Sequence, residues 1–169
     1  SNNSDFIIKC KKFSDHGRSD KYVHDMEGFN FRMDGIQAAI LNIKLKYLDN
    51  WLNKKRTIAE EYSRRLKSMT LPVENGVFHS YHLFVIKAEE RDKLKDFLDK
   101  NGIKTGIHYP IPLHLQPVFK YLNYVGGDFP IAEKLSKEIL SLPIYPELSS
   151  DIVQYIIEKI KEFYNLSIK

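Results

Sequence analysis

The chain has 169 residues, 43% of them hydrophobic and 28% charged, with a formal net charge of +4. That length and apolar content suffice for a domain with a real core. The composition excludes several classes: no apolar run nears the roughly 18 residues of a bilayer span, and the single cysteine, Cys10, cannot form an internal disulfide. The positive excess is spread among acids, as in "EEYSRRLK" and "KAEERDKLKD", which describes solvated helix faces rather than a nucleic-acid surface of basic residues interleaved with aromatics.

In chain order, Asp5 to Phe13 reads as a short helix capped near Ser4 or Asp5, with Phe6, Ile7 and Cys10 on one side. The N-terminus lacks the layout of a secretory signal and does not resemble the start of a domain. "DHGRSDKYVHDMEGFN" is loop-like, rich in Gly, Asp and Ser. Asp34 then opens D-x-x-Q with Gln37, a capping-box arrangement. Behind it, Ile36, Ile40, Ile43, Tyr47 and Trp51 recur at spacings of three and four, and Ile58, Tyr62 and Leu66 continue the pattern. No proline or glycine interrupts Ile36 to Leu71. One helix of some 30 residues would extend about 45–50 Å, a spine between domains or along a dimer interface. A break near Asp49–Asn53, giving a helical hairpin, is the alternative.

After "LPVENG" the pattern turns to alternating strand and helix. "YHLFVIKA" is predicted as a buried strand and "ERDKLKDFLDKNG" as a helix stopped at Asn101-Gly102. "IKTGIHY" follows as a second strand, "PVFKYLNY" as a short helix and "IAEKLSKEIL" as a helix after Pro130. "SLPIYP" is extended. A last helix is capped by Ser149 or Ser150, with a stripe of Ile152, Ile156, Ile160 and Phe163. The expected fold class is α/β, an α+β layer with a three- to four-stranded sheet packed by helices.

Three segments stand out chemically. In "GFNFRMD" Asn30 and Arg32 sit on a helix-entry loop. "SYHLF" opens a strand with Tyr81 and His82. "GIHYPIPLHLQP" holds His108, Tyr109 and His114 on a loop stiffened by Pro110, Pro112 and Pro117. Each has a plain reading: backbone satisfaction, a core strand, a rigid connector. The six histidines include no HExxH pair, and there is no nucleophile elbow, dinucleotide fingerprint or P-loop. No metal site is expected.

Together and in order, the segments change that reading. "HGRSDKYVHDMEGFNFRMDGIQAAILNIKLKYLDNW", "YHLFVI", "GI-T-IHYP-P-H-QP" and "FP-AE...LSLPIYP" resemble the signature of the DegT/StrS-type nucleotide-sugar aminotransferases over essentially the whole chain. The resemblance implies the C-terminal part of a type I pyridoxal-phosphate transferase. Residues 1–34 would end the large domain and carry a cofactor-reaching loop. Residues 35–70 would form the linking helix or hairpin, and 71–169 the small domain. Such enzymes use glutamate to aminate a nucleotide-linked keto sugar, in surface-polysaccharide or amino-sugar biosynthesis. They pair as homodimers with shared sites. The lone cysteine sets a reducing cytoplasm as the expected compartment, and from the composition no nucleic-acid or membrane partner is expected.

The resemblance also implies roles. Asn30 would reach the cofactor phosphate in the partner subunit's site, and Arg32 would support that loop or contact an anion. His108 and Tyr109, with His114, would line the sugar-nucleotide entrance. Tyr81 and His82 would lie near the interface, in a structural or a binding role. The lysine that holds the cofactor is expected upstream of Ser1, since Lys9, Lys11 and Lys12 do not match its motif. The chain alone is therefore expected to be inactive and not to bind pyridoxal phosphate. The alternative is a non-catalytic sugar-nucleotide-binding or assembly module.

Overall fold

The computed structural model describes residues 1–67, 69, 76 and 78–165, so Leu71 and most of "LPVENG" lie outside the described residues. The chain divides into two compact units, 1–48 and 49–169.

The first unit opens with α1 (Ser4–Ser14). Its cap is Asn3, one residue before the expected Ser4, because Asn3 Oδ1 accepts from Phe6 N at 3.0 Å. Asp5 in the first turn and Lys11 and Lys12 in the last suit the helix dipole. The loop-like segment that follows contains a small antiparallel pair, β1 (Arg18–Asp20) with β2 (Val23–His24). No hydrophobic alternation marked it, since neither strand has a buried residue. Phe13, Phe29 and Phe31 form a ring cluster, with centroids 5.1 Å apart for Phe13–Phe29 and 5.4 Å for Phe29–Phe31.

The unit ends with α2 (Gly35–Leu45), whose Asp34–Gln37 capping box forms as the sequence indicated; Gln37 Oε1 accepts from Asp34 N at 3.0 Å. Ile36, Ile40 and Ile43 are exposed on it. The helix does not run on. Lys46 N bonds Ile43 O at 3.2 Å and Tyr47 N bonds Lys44 O at 3.0 Å, tight turns that end α2 before the expected break. The next helix, α3 (Leu48–Arg65), starts directly afterwards.

The second unit holds the larger core. Ile58, Ala59 and Tyr62 of α3 are buried at i, i+1 and i+4, joined by Leu66. Strand β3 (Phe84–Lys87) buries Phe84 and Ile86 in strict alternation. After it comes α4 (Arg91–Lys100), which buries Leu94 and Leu98. Its end is a Schellman motif: Ile103 N bonds Leu98 O at 2.9 Å, Gly102 N bonds Asp99 O at 3.0 Å, and Gly102 has φ +77°. Leu98 and Ile103 are both in the core, the hydrophobic contact that accompanies the motif.

The strand expected over 103–109 does not form. A single residue pairs there, Gly106 with Ser141. Beyond it the prolines at 110, 112 and 117 remove amide donors that a ladder requires. Short 3₁₀ helices occupy Leu113–Leu115 and Pro117–Leu122, the latter within the short helix expected over "PVFKYLNY". Helix α5 (Pro130–Glu138) passes straight into β4 (Ile139–Leu142), two residues before the extended piece read from sequence. Strand β4 pairs antiparallel with β3, placing Phe84 opposite Leu142 and Ile86 opposite Leu140. So, among the described residues, the expected three- to four-stranded sheet is two full strands plus one pair from Gly106.

The last helix is α6 (Ser150–Phe163), capped by Ser149, whose Oγ accepts from Ile152 N at 3.4 Å. Its buried face is Val153, Ile156, Ile157 and Ile160, spaced i, i+3, i+4, i+7. Ile152, expected on that stripe, is 47% exposed. No helix among the described residues is long and apolar enough to cross a membrane.

Candidate functional site

Within the first unit, two glycines shape the loop that carries Asn30. Gly17 has φ +71°, and a Cβ there would lie 1.7 Å from Met26 O. A Cβ on Gly28 would lie 2.1 Å from Gly17 N. Only backbone without side chains can cross so closely. Around the crossing, His16 N bonds Phe29 O at 2.9 Å, Phe29 N bonds Phe13 O at 2.7 Å and Phe31 N bonds Ser14 O at 2.9 Å. Those bonds set Asn30 opposite Asp15 as a bridged pair.

Arg32 Nε donates to Asn30 Oδ1 at 3.1 Å, and Arg32 Nη1 ion-pairs with Asp15 Oδ1 at 3.2 Å. With its oxygen held by the guanidinium, the Asn30 amide has its two N–H donors left for a ligand. Both side chains are exposed. A hollow of about 520 Å³ adjoins Arg32, lined also by Phe31, Met33, Gln37, Ile40 and Leu41. An exposed amide donor with a cation beside it is chemistry for an anionic oxygen.

Within the second unit, His108 and Tyr109 come together, and His114 turns elsewhere. His108 is half-buried, with Nδ1 3.0 Å from Ser141 Oγ. A Cβ on Gly106 would meet the His108 Cε1 at 2.6 Å, so glycine at 106 gives the ring its place. Tyr109 packs edge-on to His108 at 5.7 Å and is itself 72% exposed. Imidazole and phenol on an open surface can serve hydroxyl or phosphate oxygens.

His114 Nε2 lies 3.0 Å from Glu133 Oε1, and its ring packs on Phe129 at 4.7 Å. Glu133 also accepts from Gly127 N at 2.8 and 3.0 Å and from Phe129 N at 3.3 Å. The Gly127 N–H above all, with His114 and Phe129 N adding to it, holds the Glu133 carboxyl below its ordinary range. The Glu133 carboxylate holds the 125–129 turn, and the His114 imidazole packs against that carboxylate and Phe129. Tyr81 is buried and packs beside His79 at 4.4 Å and Phe84 at 6.0 Å, whereas His82 is exposed.

Sequence reasoning missed Ser141, Gly106 and Glu133 as supports of this loop. Ser141 carried a usable signal, a lone hydroxyl between Leu140 and Leu142 in an otherwise apolar strand. Gly106 had none, because its approach to the His108 ring depends on the folded loop, and Glu133 had none, because His114 is 19 positions away. Among the described residues, no group of three or more His, Cys, Asp or Glu is placed to hold a metal ion.

The sequence pattern of the DegT/DnrJ/EryC1/StrS aminotransferase family matches residues 1–161. A "Pleiotropic regulatory protein" of Geobacillus stearothermophilus is 44% identical over 96% of this chain and 45% of its own length. The dTDP-3-amino-3,4,6-trideoxy-alpha-D-glucose transaminase of Streptomyces venezuelae is 35% identical over 92% of this chain and 42% of its own. Among solved structures, S. venezuelae DesV in complex with a ketimine intermediate superposes with a TM-score of 0.92 at 32% identity, over 99% of this chain and 46% of that one. The chain spans about half the length of the curated relatives it matches. The likeness to DesV agrees with an α/β portion of a type I pyridoxal-phosphate aminotransferase.

Proposed function

Since the chain belongs to the DegT/DnrJ/EryC1/StrS aminotransferase family, we propose that it is the C-terminal portion of a pyridoxal-phosphate enzyme that moves an amino group from glutamate to a nucleotide-linked keto sugar. The intact enzyme would work in the cytoplasm as a homodimer with shared sites. The observation that carries the reading is the pairing of Asn30 and Arg32, an exposed amide with its oxygen already occupied and its donors available.

That donor set fits a phosphate group. Asn30 would hold the cofactor phosphate through Nδ2, and Arg32 would keep the amide turned the right way. Pyridoxal phosphate, when bound, supplies the electron sink for amino-group transfer. This chain's share of the work is binding and orientation. His108 and Tyr109 would contact the sugar nucleotide, and His114 would shape the same loop through Glu133.

The S. venezuelae relative, named as a dTDP-sugar transaminase, supports a nucleotide-sugar substrate. A second reading, a sugar-nucleotide-binding or assembly module without catalysis, has the name of the G. stearothermophilus relative in its favour. The two separate in one assay. The intact enzyme, given glutamate and dTDP-, UDP- or GDP-linked keto sugars, is expected to release 2-oxoglutarate, and the 169-residue chain is not. Nucleotide-sugar binding by the intact protein with no release from any of the three would favour the module.

A further inference from the structure

Ser141 is 5% exposed, in the middle of β4. Its backbone is fully used: Ser141 N donates to Gly106 O at 2.8 Å, and Gly106 N donates to Ser141 O at 3.1 Å. Both groups therefore point away from β3, so Val85, its partner there, stands at a non-hydrogen-bonded position. The hydroxyl remains. A buried hydroxyl needs an acceptor for its proton, and leaving it without one is costly. Among the described residues, the acceptor within reach is His108 Nδ1, at 3.0 Å.

The hydrogen-bond inventory then decides the tautomer. If Nδ1 carried the ring proton, it would donate to Ser141 Oγ and leave the hydroxyl proton unplaced. If Oγ–H donates instead, Nδ1 is the acceptor and the neutral ring carries its proton on Nε2. The second arrangement satisfies both groups. Gly106 closes the other side, because any Cβ there would meet His108 Cε1 at 2.6 Å. The ring is thus fixed by one hydrogen bond and one missing side chain, both from the Gly106–Ser141 pair.

We propose that Ser141 is a positioning residue: its hydroxyl holds neutral His108 as the Nε2–H tautomer, which makes His108 a hydrogen-bond donor to a diphosphate oxygen of the nucleotide sugar. The donor role rests on the reading of this loop as a nucleotide-sugar wall; the tautomer does not. A ring in the opposite tautomer would present a lone pair to the same oxygen and repel it.

Long-range proton–nitrogen correlation spectra of the 169-residue chain, labelled with ¹⁵N at histidine and held at a pH where the ring is neutral, report the tautomer directly. The wild type is expected to show Nε2–H at His108. Ser141→Ala should return the ring to an averaged mixture, Ser141→Thr should keep the Nε2–H form, and Gly106→Ala should lose it with the hydroxyl still present. An Nδ1–H ring in the wild type, or an unchanged spectrum in Ser141→Ala, overturns the proposal. Titrating the intact enzyme with dTDP-glucose reads the second half. Ser141→Ala should weaken binding about three- to tenfold, the worth of one hydrogen bond, and Ser141→Thr should restore it. A tautomer that shifts while affinity does not overturns the donor role. Wild-type enzyme that binds no dTDP-glucose, UDP-glucose or GDP-mannose overturns the reading of the loop and the donor role with it, while the tautomer result stands.

Discussion

Arg32 Nε donates to Asn30 Oδ1 at 3.1 Å, so the orientation of one amide is set by a guanidinium two residues away. The same guanidinium reaches Asp15 Oδ1 at 3.2 Å, which ties it to the end of α1. Removing Arg32 would free the amide to turn without removing it. In the intact enzyme, Arg32→Ala is expected to weaken cofactor retention by less than the loss of Asn30 itself. Arg32→Lys should recover only part, since an ammonium cannot span both partners with the planar fork. Equilibrium dialysis of pyridoxal phosphate checks the order.

The glycine crossing should be intolerant of any side chain. Gly17→Ala adds a Cβ 1.7 Å from Met26 O at a φ of +71°, and Gly28→Ala adds one 2.1 Å from Gly17 N. Each is expected to cost on the order of 2–3 kcal/mol. The loss should be local to the first unit. Amide hydrogen exchange at His16 and Phe31 should speed up, while Leu94 and Val153 in the second unit keep their protection.

Tyr62 is a core residue with a polar task. Its hydroxyl donates to Pro143 O at 3.0 Å, and its ring lies 5.1 Å from Phe84. Burial pushes the phenol well above its usual range, so it stays protonated and a donor at neutral pH. Tyr62→Phe is expected to cost about 1–2 kcal/mol by leaving the half-buried Pro143 carbonyl without this partner. Tyr62→Ala should cost about 3–5 kcal/mol, the cavity term included. Urea unfolding separates the two.

Glu133 gives stability a pH dependence of known sign. Its folded pKa is depressed below 4.5, first by Gly127 N–H. A depressed carboxylate stabilises fully above its unfolded value, and that contribution disappears as pH falls through the folded value. Asp25, Glu61 and Asp99 are lowered too, by Lys12, Arg64 and Lys104 respectively, so the whole chain should lose stability below about pH 4.5. Glu133→Gln should be less stable than wild type at neutral pH, with the gap narrowing as the solution is acidified through that window. A gap independent of pH would mean that the carboxylate charge does not tie down the 125–129 turn.

Much of this was readable in the sequence where causes are local. The D-x-x-Q box, the Asn101-Gly102 stop, the serine cap at 149 or 150 and the apolar strand around Phe84 to Ile86 depend on residues a few positions apart. The Ile103–Tyr109 strand failed because β-propensity described the residues well but the ladder depends on a partner edge and on amides that the following prolines lack. Leu45 to Tyr47 gave no breaker residue, so the end of α2 was invisible to a rule that looks for glycine or proline. At the candidate site, the order of motifs named Asn30, Arg32, His108, Tyr109 and His114. It could not show that Glu133 occupies His114 or that Ser141 holds His108, since those partners are 19 and 33 positions away.

We propose that Asn30 presents its amide to the phosphate of pyridoxal phosphate in the intact enzyme. The dissociation constant of the cofactor, measured for wild type and Asn30→Ala in the absence of substrate, decides it. The variant is expected to hold pyridoxal phosphate at least about tenfold more weakly, as for a lost hydrogen bond to a charged group, with the fold intact by circular dichroism. An unchanged dissociation constant in a folded variant would contradict it.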